Sequence, residues 1–111
     1  MFYALGFIKI AIMSSFSLKD KRRVVKSILQ RVKNEFNVSI AEVDYQDLQQ
    51  TALLGYGFVG TDKLLVEKKV ALLVDFIDTN YDVTIVEHHR EIAVIGFSTQ
   101  RSDFEAKKYV G

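Results

Sequence analysis

Apolar residues alternate along residues 2–13. Phe2, Ala4, Gly6, Ile8, Ile10 and Ile12 form one row; Tyr3, Leu5, Phe7, Lys9, Ala11 and Met13 form the other. A two-residue period is that of a β-strand, whose successive side chains point to opposite faces. Both rows are apolar apart from Lys9, so this strand is expected at the centre of a sheet. After Ser14, Ser15 and Ser17 the period changes. Leu18, Val25, Ile28, Leu29, Val32 and Phe36 recur at helical spacing. They predict a helix over residues 18–36 with Ser17 as N-cap and Asn37 at its end. A second strand is expected over residues 38–43, a polar connection over 44–51, and a third strand over 52–60. Thr61 and Asp62 can cap a second helix over 63–78, with Val66, Val70, Leu73 and Ile77 facing inward. A fourth strand is expected over 81–89. The apolar run at residues 92–97 either extends a strand or covers another surface, and residues 98–111 are expected to be a polar tail.

The predicted order is β-α-β-β-α-β. Short connections and right-handed crossovers then favour an α+β, ferredoxin-like sandwich of four antiparallel strands with both helices on one face. Two helices cover one side of such a sheet only. Lys9 is poorly suited to lie beneath them, so Tyr3, Leu5 and Phe7, which share its row, are assigned to the open face. On the third strand the glycines Gly55 and Gly57 would let helices pack closely, which assigns Leu54, Tyr56 and Phe58 to the open face as well. The expected surface of Tyr3, Leu5, Phe7, Leu54, Tyr56 and Phe58 is apolar enough to mark an interface. A homodimer packed sheet on sheet, or coverage by residues 92–97, would bury it. A stacking platform for nucleic-acid bases is the sharper reading. Its prompt is Leu54–Thr61, which resembles the octamer of the RNA-recognition motif over Gly55 to Val59 and departs from it at Leu54 and Thr61.

Composition narrows the picture without naming an activity. The 111 residues fit one domain, taken as residues 1–97 with the tail behind it. There is no cysteine, which excludes disulfides and thiolate chemistry. The N-terminus lacks the basic start and the cleavage site of a signal peptide. No run approaches the ~20 apolar residues of a membrane span. A soluble, cytoplasmic protein with no membrane partner is therefore expected. The total charge is only +1, yet its distribution is uneven. Residues 19–33 hold Lys19, Lys21, Arg22, Arg23, Lys26, Arg31 and Lys33 against Asp20 alone, whereas residues 34–91 hold eleven carboxylates against four cations. A basic patch on a near-neutral protein suggests one face for an anionic partner. At ~100° per residue, Lys19, Arg22, Arg23, Lys26 and Lys33 fall in one stripe beside the core face, with Lys21 and Arg31 elsewhere.

Catalytic chemistry finds little foothold. Glu42, Asp44 and Asp47 cluster at a strand end, where paired carboxylates could bind Mg²⁺ or exchange protons. No His, Ser or Cys sits nearby in sequence to complete a set, and a charged turn is the plainer reading. His88 and His89 are adjacent on a strand and point to opposite faces, so they cannot readily share a metal. No glycine spacing forms a nucleotide-binding loop. No catalytic residue, metal site or cofactor is assigned.

Two stretches carry a family signature. Residues 17–44, SLKDKRRVVKSILQRVKNEFNVSIAEVD, and residues 46–55, QDLQQTALLG, resemble the YlxP-like family of small bacterial proteins of unknown function. The resemblance covers roughly residues 5–90. It implies a ferredoxin-like fold, and it implies a link to RNA or the ribosome, because the family's genes often sit near translation and ribosome-maturation factors. It supplies no catalytic residues. The leading expectation is a non-enzymatic protein whose Lys19, Lys21, Arg22, Arg23, Lys26 and Lys33 contact RNA phosphates. The alternatives are a structural or regulatory dimer that binds another protein, and a small-ligand sensor with its site at a dimer seam.

Overall fold

A computed structural model describes residues 1–96. The expected tail at 98–111, and Phe97 before it, lie outside the described residues. The elements are β1 (Phe2–Ala11), α1 (Leu18–Phe36), β2 (Ser39–Asp44), β3 (Thr51–Gly60), α2 (Lys63–Asn80) and β4 (Thr84–Val94). The four strands form one sheet in the order β2-β3-β1-β4, and every neighbouring pair is antiparallel. This is the ferredoxin-like arrangement read from the hydrophobic pattern, with β1 at the centre as its two apolar rows require.

Local chemistry explains where the helices begin and end. The Ser17 hydroxyl accepts the backbone N–H of Asp20 at 3.0 Å, and the Asp20 carboxylate accepts the N–H of Phe16 at 3.4 Å. One first-turn donor of α1 that lacks an intrahelical partner is thereby satisfied, and the residue before the cap is tied to the first turn. Asn37 ends the helix in the left-handed region, φ 49°, and its N–H bonds the Lys33 carbonyl. Asp62 caps α2 by accepting the N–H of Leu65 at 3.1 Å.

Helix α2 runs two residues beyond the expected 78, so Tyr81 closes it and β4 starts later than residue 81. The strand also runs past residue 89. Phe2 to Gly6 pair with Val94 to Arg90, so Ile92 to Val94, the first half of the apolar run at residues 92–97, extends β4. The physical reason is the length of β1: its first half would otherwise expose unpaired backbone groups on that edge.

The core lies between the helices and one face of the sheet. Ala4, Ile8 and Ile10 of β1, Ile40 of β2, and Ala52, Leu54 and Tyr56 of β3 are buried there. They pack with Val25, Ile28 and Val32 of α1 and with Val66, Val70, Leu73 and Ile77 of α2. The other face of the sheet carries no element among the described residues.

Candidate functional site

The basic stripe is borne by α1 on the side away from the sheet. Lys19, Arg22, Arg23, Lys26 and Lys33 are all exposed. None has a carboxylate within 4.0 Å among the described residues. The stripe follows from the helical repeat: Val25, Ile28 and Val32 turn inward, and the cations occupy the arc beside them.

Lys21 departs from the expected set. It is wholly buried, its Nζ lies 2.8 Å from Glu42 Oε2, and it donates to the Tyr45 carbonyl. It cannot reach a phosphate. Its position was visible in the spacing, because Lys21, Val25, Ile28 and Val32 recur at i, i+4, i+7 and i+11, on one helix face. A lysine on that face must find a partner, since an unpaired buried charge is costly. Glu42 at the bulged end of β2 provides it, and Tyr45, held at φ 61°, turns its carbonyl to the same ammonium. Arg31, also off the stripe, lies over the rings of Phe76 and Tyr81, 5.1 and 5.5 Å from their centroids.

Glu42 and Asp44 lie at the end of β2, and Asp47 lies in the turn that follows it. Glu42 is committed to Lys21, whereas Asp44 accepts the N–H of Tyr45 at 2.7 Å from an exposed position. Among the described residues no group of three His, Asp or Glu could hold a metal ion.

The open sheet face is apolar, but its composition differs from expectation. Tyr3, Leu5, Phe7 and Lys9 do line it, with Leu5 53% exposed. On β3 the assignment reverses. Leu54 and Tyr56 are buried under the helices, and Phe58 packs against the core with the Lys69 ammonium 4.7 Å from its ring centroid. Leu53, Gly55, Gly57 and Val59 face outward instead. Burial of the larger row decides the orientation, and Gly6 supplies the room. A Cβ on Gly6 would collide with the Tyr56 ring and with the His89 carbonyl. The Val43 and Leu5 side chains lie over Gly55 and Gly57, where a Cβ would meet them, and a shallow groove of about 800 Å³ on this face is lined by Tyr3, Leu5, Ala41, Val43 and Val59. With Tyr56 and Phe58 turned inward, the strand offers no stacking platform for bases.

A second polar arrangement lies where α2 faces β4. The Tyr56 hydroxyl meets His88 Nε2 at 2.9 Å. Burial first, then the Arg90 guanidinium and His89, hold the His88 imidazole below its usual value of about 6.5. Burial raises the Tyr56 phenol, and Arg90 opposes that rise. His89 points the other way, stacked on Phe7 at 4.9 Å and 2.9 Å from Glu87. The opposite orientations follow the strand alternation. The pairing of His88 with Tyr56 was not readable, because it joins residues 32 positions apart.

No helix among the described residues is long and apolar enough to cross a membrane. The family described as "Protein of unknown function (DUF503)" matches residues 4–90. The "Uncharacterized protein YlxP" of Bacillus subtilis (strain 168) is 46% identical over 63 residues, which are 57% of this chain and 68% of that protein. Among solved structures, a de novo designed protein with ferredoxin fold has a TM-score of 0.49 at 14% identity, covering 90% of this chain and 95% of its own. A dimeric ferredoxin-like protein from an uncultured marine organism has a TM-score of 0.47 at 13% identity, covering 87% and 100%. The fold assignment stands on strand order and register rather than on likenesses of that size.

Proposed function

Because the chain belongs to the DUF503 family of proteins of unknown function, we propose a role from its surfaces: a non-enzymatic, cytoplasmic binding protein whose α1 engages the phosphates of RNA. The observation that carries this reading is the stripe of Lys19, Arg22, Arg23, Lys26 and Lys33, exposed and free of ion pairs among the described residues. At 1.5 Å per residue the stripe runs about 21 Å along the helix. Cations near a helix N-terminus oppose the helix dipole, so Lys19, Arg22 and Arg23 add nothing to the helix in exchange for their exposure. They do serve a polyanion.

Five phosphate contacts predict a slope of about −3.5 for log K against log salt on single-stranded RNA. The test is a salt series of binding to total RNA and ribosomal subunits, with Arg22→Ala/Arg23→Ala alongside. Removing two of five contacts should lower the slope to about −2. An unchanged slope and affinity in a folded double variant would remove α1 as the contact surface.

A second reading concerns assembly. Leu5, Val43 and Val59 are at least half exposed on the uncovered sheet face. The ridge of Tyr3, Leu5 and Phe7 runs directly beside the row of Gly55 and Gly57. A two-fold axis through this face would set the exposed Leu5, Val43 and Val59 of each copy on those of the other, as an isologous contact requires. A homodimer through this face is the arrangement we infer. Sedimentation equilibrium should give a dimer for the wild type and a monomer for Leu5→Lys. A wild-type monomer at micromolar concentration would refute it.

A further inference from the structure

We propose that the cleft between α2 and β4 is a binding site for a small zwitterion with an apolar side chain, an α-amino acid in chemical class. The cleft measures about 790 Å³, within the range of about 300–1,000 Å³ usual for small-molecule sites. Its apolar lining includes Val74 and Ile85; its polar lining includes Asp75 and Asp78 from α2, and His88 and Arg90 from β4. Opposite charges thus border one cavity. Yet neither Asp75 nor Asp78 comes within 4.0 Å of Arg90, and none of the three forms another ion pair among the described residues. A ligand carrying both signs would complete both sides at once.

The His88 ring narrows the class. Its Nε2 is committed to the Tyr56 hydroxyl at 2.9 Å, which fixes the ring and leaves Nδ1 for a ligand. Arg90 and His88 then form a receptor for one carboxylate, with a forked, permanently charged donor beside an imidazole. A polyanion is disfavoured, because Asp75 and Asp78 would repel its second charge. An ammonium group facing those carboxylates is favoured by the same charges. The apolar surface of Val74 and Ile85 is suited to an aliphatic or aromatic side chain. This site is separate from the α1 stripe and from the open sheet face, so it stands or falls independently of both.

The test is titration of the ¹⁵N-labelled protein, followed by NMR, with leucine, isoleucine, valine, methionine and phenylalanine. Two controls each lack one charge of leucine: 4-methylpentanoate lacks the ammonium and isopentylamine lacks the carboxylate. At least one amino acid should give saturable shifts at Val74, Ile85, His88 and Arg90. Both controls, Arg90→Gln, and Asp75→Asn/Asp78→Asn should each weaken binding about 10-fold or more. The substituted side chains are exposed, and the variant spectra report whether the fold is kept. Absence of saturable shifts with all five amino acids would overturn the proposal. So would equal binding of either control, or unchanged affinity in a folded Arg90→Gln protein.

Discussion

Replacing Lys21 with Met keeps most of the side-chain volume and removes its charge. In the native protein the ammonium lies 2.8 Å from Glu42 Oε2. At an effective dielectric constant of about 20, that attraction is about 6 kcal/mol. Desolvating each ion costs several kcal/mol, so the intact pair contributes little net stability. Half a pair is the expensive state. Glu42 Oε2 has no other partner among the described residues, and the Tyr45 carbonyl would lose its donor as well. Lys21→Met should therefore lower the unfolding free energy by about 3–5 kcal/mol. Lys21→Met/Glu42→Leu leaves no unpaired charge and should return to within about 1–3 kcal/mol of the wild type, the remainder being the unsatisfied Tyr45 carbonyl. Urea denaturation followed by circular dichroism reads both values, provided the m-value is unchanged. A single-variant loss below about 1 kcal/mol would refute the reasoning, for that is the worth of an exposed pair. A double variant as unstable as the sum of the two single variants would refute it too.

Two further outcomes follow from the Tyr56 environment. Gly6→Ala places a Cβ against the Tyr56 ring and the His89 carbonyl, and should cost about 1–3 kcal/mol as an overpacked site; an unchanged urea midpoint would refute the crowding at this position. His88 titrates below its unfolded value, so the folded state binds fewer protons than the unfolded chain in that window. Its contribution is fully present above about pH 6.5 and is lost as pH falls from there through the lower folded value. The urea midpoint should drop between pH 7.5 and pH 5.5, and less so in His88→Gln; an equal drop in that variant would place the sensitivity elsewhere.

The sequence carried the architecture because its signals are local. Ser17 and Asn37 bracket α1 to the residue, and the inward positions Val66, Val70, Leu73 and Ile77 of α2 are all buried as their spacing requires. What failed was the choice between faces. On β3 the alternation of large and glycine residues is plain, but period alone does not say which row faces the helices. The deciding contact is Tyr56 lying over Gly6, on a neighbouring strand 50 residues away in the chain. Volume was an available guide, since the row of Leu54, Tyr56 and Phe58 fills a core better than two glycines do. Lys21 failed for a different reason. Its place on the core face was readable from the i, i+4, i+7 spacing, but its charge argued for solvent until Glu42 was known to reach it. Long-range polar pairs of this kind, Lys21 with Glu42 and Tyr56 with His88, leave no periodic trace.

The α1 stripe and the open sheet face lie on opposite sides of the molecule, and their chemistries do not interchange. Leu5, Val43 and Val59 offer a phosphate nothing, and the cations of α1 would repel the same stripe on a second copy. A sheet-to-sheet dimer would therefore leave both stripes facing outward. Layers of a packed sandwich lie about 10 Å apart. The two α1 helices of such a dimer, three layer spacings apart, would be separated by about 30 Å with the whole protein between them. A short RNA cannot engage both. The salt slope measured with one is then a property of a single protomer, indifferent to whether Leu5 has been replaced. If both proposals hold, assembly and RNA contact are separable in the same set of variants: Leu5→Lys should lower the mass and leave the slope, whereas Arg22→Ala/Arg23→Ala should lower the slope and leave the mass.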